Sequence, residues 1–155
     1  MSATTADPRL AALVDGDRPL VWSFIGDSVT AASWHTWDAR GFAELVHELI
    51  GRIRAGSSAT VVVQTPNGTL PTAPEHVVAH LDAYADAIRT VAKEAEVPLV
   101  DHHAEWAATD AGSTFHWLGH GCHPNAYGHR AMARTLLRSF GIWDPAARTG
   151  RLTIP

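Results

Sequence analysis

The sequence predicts an α/β fold with a parallel sheet of about three strands, and three observations carry that expectation. Short apolar runs at 20–25 (LVWSFI), 59–65 (ATVVVQT) and 97–100 (VPLV) each end on polar or glycine residues and read as buried strands. The segments between and after them carry apolar residues at spacings of three and four, as amphipathic helices do. Strands alternating with helices imply βαβ units with right-handed crossovers. So small a sheet leaves an exposed edge, for a second copy in a homodimer or for tail residues 152–154 to cover.

The elements follow in order. Residues 1–17 form an N-terminal arm or short helix, polar and Ala-rich, with Leu10, Leu13 and Val14 as its apolar anchors. The first strand, 20–25, stops at Gly26. A helix over 41–56 places Phe42, Leu45, Val46, Leu49, Ile50 and Ile53 on one face, with Gly56 at its C-terminal cap. The second strand is β-branched and is closed by Pro66-Asn67-Gly68. After a Thr- and Pro-containing loop, a helix over 75–96 turns Val78, Leu81, Tyr84, Ala85, Ile88, Val91 and Ala92 inward. The third strand ends at Asp101, residues 104–108 form a short helix, and a Gly- and His-rich loop follows. Asn125 caps a last helix that runs to Phe140 and buries Met132, Ala133, Leu136 and Phe140. The expected organisation is an arm at 1–17, one domain over 18–141 and a tail at 142–155.

Composition narrows the function classes. At 155 residues with 46% hydrophobic and 18% charged residues, the chain is one globular domain rather than a disordered one. Its 12 basic and 16 acidic residues give a net charge of −4 with no basic block, which argues against nucleic acid or an anionic membrane surface as partner. No run approaches the roughly 20 apolar residues of a membrane span. The first twenty residues lack a signal-peptide pattern, and the single cysteine, Cys122, cannot form an internal disulfide. These point to a cytoplasmic protein.

Ligands of open α/β sheets bind beyond the carboxyl ends of the strands, and each such end here is polar. The clusters are Gly26-Asp27-Ser28, Thr65-Pro66-Asn67 and Asp101-His102-His103, with a fourth loop at 120–125 (HGCHPN) before the last helix. A serine on a tight strand-to-helix turn exposes its hydroxyl and puts backbone N–H groups beside it to hold an oxyanion. A histidine just before a late helix can fold over that turn as general base. The bland alternative for Ser28 is a turn or cap serine, and Asp27 shapes the turn by accepting backbone N–H groups. Trp22, Trp106, Trp117 and Trp143 read as packing residues, whereas Trp34 and Trp37, close after Ser28, either wall a pocket or fill space.

GDSVT at 26–30 together with HPNAYGH at 123–129 resembles the SGNH or GDSL-type hydrolases, and QTPN at 64–67 and LVDH at 99–102 extend the resemblance in the expected order. It covers the chain from about Val21 to Phe140. The resemblance implies a flavodoxin-like, three-layer α/β/α fold and hydrolysis of small acyl, lipid or carbohydrate esters without a cofactor. It also implies Ser28 as nucleophile and His123 as base. Two departures stand beside it. The family's central blocks, including GxND with its oxyanion-hole asparagine, have no counterpart: HTWD at 35–38 carries Trp37 where Asn belongs. Asn67 is the available substitute donor. The family's DxxHP acid is His120 here, and a neutral imidazole does not offset an imidazolium charge. In a serine protease, converting that acid to an amide costs about 10⁴ in turnover. Asp101, Asp110 and Asp38 are the alternative partners.

Two rival readings remain open. One is a catalytically weak or inactive binding module on the same fold. The other uses the ten histidines as a zinc site, since His116, His120, His123 and His129 crowd one stretch together with Cys122. That loop fits no standard zinc spacing, so no metal ligand is assigned.

Overall fold

The computed structural model describes residues 5–16, 19–23, 39–148, 150 and 151, and structural statements here concern those residues. A parallel pair of strands, β1 (Val63–Gln64) and β2 (Leu99–Val100), lies at the centre, with Val63 opposite Leu99 and Gln64 opposite Val100. Side chains alternate across it as strand geometry requires. Val61, Val63 and Leu99 pack into one apolar cluster with Ile50, Val91, Ala92 and Val97. Val62 and Val100 pack into another with Leu10, Leu136 and Phe140.

Each face is therefore covered by helices. On the first lie α2 (Ala39–Gly56) and α3 (Glu75–Glu94), which pack on each other, with the Phe42 and Tyr84 rings edge to face at 5.0 Å. On the second lie α1 (Pro8–Val14) and α6 (Ala126–Ser139). Leu10 of α1 is fully buried there, and the Asp7 N–H donates to Ser139 O at 2.9 Å, so this part of the expected arm is docked on the core.

The sheet is smaller than expected. Among the described residues two strands pair in parallel, where the sequence pointed to about three. Of the expected strand at 20–25, residues 20–23 belong to no helix or strand, and 24 and 25 lie outside the described residues. Val21 is 96% exposed, and Trp22 meets the core through its ring contact with Phe140 at 5.0 Å. An apolar run gains from the extended form only where a ladder and a packing face receive it. The other two strands contract for a local reason. After α3 the chain turns at Glu96, whose φ is 52°, with the Val97 N–H on Ala92 O; Pro98 then lacks an N–H, and Asp101 already caps the next helix. Two residues are left for β2, and its length limits β1.

Helices differ in detail. Val78, Leu45 and Leu49 are exposed rather than inward. Ala133 is exposed too, and the buried stripe of α6 runs through Gly128, Ala131, Thr135 and Ser139. The expected loop after 108 holds α5 (Ala111–Phe115) and a small antiparallel pair, β3 (Leu118–His120) with β4 (His123–Pro124). Trp106 of α4 (His102–Ala107) and Trp117 meet edge to face at 4.8 Å and anchor this region with Leu118 and Ala131.

Candidate functional site

The carboxyl ends of β1 and β2 are tied together through Asp101. Its side chain accepts from Ala104 N at 2.9 Å as the cap of α4, and from the Thr65 hydroxyl at 2.9 Å. It also receives a two-point contact from Arg89 of α3, Nε at 2.7 Å and Nη2 at 3.0 Å. Burial alone would raise this carboxyl, but Arg89, the Ala104 N–H and Thr65 outweigh it and hold it below the ordinary value. The hydrogen bond to Asp101 in turn raises Arg89. Arg89 Nη2 also donates to His103 Nδ1 at 3.3 Å, leaving Nε2–H to face Asp82 at 3.1 Å.

His102, the next residue, is 2% exposed. Gln64 Oε1 can only accept, so His102 Nε2–H donates to it at 2.7 Å, while buried Nδ1 has no hydrogen-bond partner. Burial pushes this imidazole down to about 4, so it stays neutral at physiological pH. This is a structural histidine joining β1 to α4.

His123 sits at the other part of the edge. It pairs across the small sheet with His120, their ring centroids 6.5 Å apart, and both side chains are exposed. Its Nδ1 lies 3.5 Å from Cys122 Sγ. The backbone on its amino side is gripped by the loop after β1: Asn67 Nδ2 donates to Cys122 O at 3.0 Å, and Leu70 N–H to Gly121 O at 2.7 Å. Gly121 is required there, since a Cβ would stand 2.6 Å from the Ala73 backbone. On the carboxyl side Asn125 caps α6, accepting from Tyr127 N at 2.8 Å and Gly128 N at 3.2 Å, while its Nδ2 donates to His116 O at 2.8 Å.

The structure thus brings Asn67 to the His123 segment. Asn67 Nδ2 also donates to Gly68 O at 2.7 Å, so both amide hydrogens are engaged. Of the alternative acids, Asp101 is occupied as above, and Asp110 caps α5 through Ser113 N at 2.9 Å and Ser113 Oγ at 2.8 Å. Ser28, Asp27, Trp34, Trp37 and Asp38 lie outside the described residues. Among the described residues no group of three or more His, Cys, Asp or Glu side chains converges to hold a metal ion. Likewise, no helix is long and apolar enough to cross a membrane. The Arg89 clamp and the Asn67–Cys122 contact were not foreseen; Asn67 was legible as a turn residue, but no sequence pattern pairs Arg89 with Asp101.

Residues 39–131 match the model of the GDSL-like lipase/acylhydrolase family. The chain belongs to that family. The match spans Asn67, His120 and His123 and begins after Ser28. No curated protein and no solved structure matches the chain.

Proposed function

We propose that this family member hydrolyses esters of small acyl, lipid or carbohydrate type through an acyl-enzyme on Ser28, with His123 as general base and then general acid. The observation that carries this reading is the family match across the segment that holds His123. Ser28 Oγ attacks the ester carbonyl carbon as its proton passes to His123. The tetrahedral intermediate collapses, the C–O bond to the alcohol breaks, and the leaving oxygen takes that proton. Water, activated by the same imidazole, then releases the acid and frees Ser28. The backbone N–H of Ser28 faces the oxyanion, and Asp27 shapes the turn that presents it. His120 occupies the place of the family's acid and supplies no negative charge. No cofactor enters these steps.

The same reading takes the whole domain, 18–141, as a flavodoxin-like SGNH fold. It places the protein in the cytoplasm and has a second copy cover the sheet edge.

A second reading, a binding module with little catalysis, is favoured by one observation. Among the described residues the group within reach of His123 Nδ1 is the Cys122 sulfur rather than a carboxylate. Turnover of a panel of short-chain aryl and alkyl esters separates the two. A hydrolase loses all turnover above background on Ser28→Ala, whereas a wild type with no turnover, binding an ester equally well with and without Ser28, is the module.

A further inference from the structure

Asn67 donates both amide hydrogens to backbone carbonyls, one of them that of Cys122, the residue before His123. The same loop reaches the segment twice more, by the Leu70 N–H on Gly121 O and by the close approach of Ala73 to Gly121. His123 is exposed, so side-chain packing does little to place it; its backbone pairs with His120 in the β3–β4 ladder, and on the amino side these loop contacts grip the residues that lead into it. An amide spent on two carbonyls has no hydrogen left for an oxyanion. We propose that Asn67 is a positioning residue for the base: it acts through the Cys122 carbonyl to hold His123 where it meets the nucleophile. The proposal rests on the reading of Ser28 and His123 given above.

The consequence is specific. A positioning residue affects the rate through the placement of His123, and misplacing a catalytic group by about 1 Å can cost on the order of 10²-fold. Asn67→Asp keeps the size and removes the donors; Asn67→Gln keeps an amide donor. In full-length protein with a short-chain aryl ester, Asn67→Asp is expected to lower kcat by about 10- to 100-fold with KM little changed, and Asn67→Gln to recover part of it. The His123 ring signals in NMR, assigned by their loss in His123→Ala, are expected to move in Asn67→Asp and to move less in Asn67→Gln.

A fall in kcat with unmoved His123 signals makes Asn67 an oxyanion donor and overturns the proposal. Unchanged kcat in a folded Asn67→Asp overturns it as well. A wild type without Ser28-dependent turnover overturns the reading of the site, and the positioning role with it; that failure is visible before any Asn67 variant is made.

Discussion

The Thr65 hydroxyl donates to Asp101 Oδ1 at 2.9 Å and accepts the His103 N–H at 2.9 Å, so one side chain locks the end of β1 to the start of α4. Thr65 is buried, and Asp101 adds the Ala104 N–H and the Arg89 guanidinium to the same knot. The loop that leaves β1 immediately afterwards carries Asn67. The knot and the His123 segment are therefore joined through three residues of chain.

Removing the centre of that knot uncaps α4 and strands partly buried donors. Asp101→Ala is expected to cost about 2 kcal/mol, in the range of a lost cap together with charge-assisted hydrogen bonds. Chemical denaturation measures it. Because Asp101 is held below its ordinary value, its contribution is present above the unfolded carboxyl range and fades as pH falls through the lowered folded value.

His102 adds a second acid sensitivity of the same sign. Its imidazole is pushed from 6.5 to about 4 by burial, so between those values the unfolded chain takes up a proton that the folded chain refuses. Stability therefore falls as pH drops from about 6.5 to about 4, by up to about 3 kcal/mol from this group. Denaturation curves at pH 7 and 4.5 check this, with His102→Gln expected to flatten the difference relative to wild type.

Gly121 tests the grip on the His123 segment without touching a titratable group. A methyl there meets Ala73 backbone at 2.6 Å, and neither partner is a flexible side-chain tip. Gly121→Ala is expected to cost about 1–3 kcal/mol, the usual range for overpacking, and to reduce ester turnover. Thermal unfolding and kinetics on the same sample give both.

His120 stands at the position where the family pattern has an acid. Under the proposed mechanism, His120→Asp restores a charge that can offset the imidazolium, and turnover is expected to rise by about tenfold or more. Steady-state kinetics of the purified variant measures it; no change would place His120 away from the base in the working site.

Much of this was legible in the sequence, and the losses have physical causes. The long helices declared themselves because Phe42, Ile50, Ile88 and Val91 repeat at helical spacing, and Asn125 is a cap by residue type alone. Strands failed where composition outran pairing: Val61 and Val62 are as β-prone as Val63, but β2 is confined between Pro98 and Asp101 and offers partners to two residues only. In the site, His123 and Asn67 were visible as residue types on polar loops. Their connection was not, because a side-chain amide meeting a carbonyl 55 residues away leaves no local pattern.

The most direct measurement is intact-mass labelling with a fluorophosphonate probe on wild type, Ser28→Ala and His123→Ala. The account predicts a single adduct on the wild type, absent from Ser28→Ala and lost or strongly slowed in His123→Ala. A folded wild type that takes no label, or one labelled equally in Ser28→Ala, would contradict it.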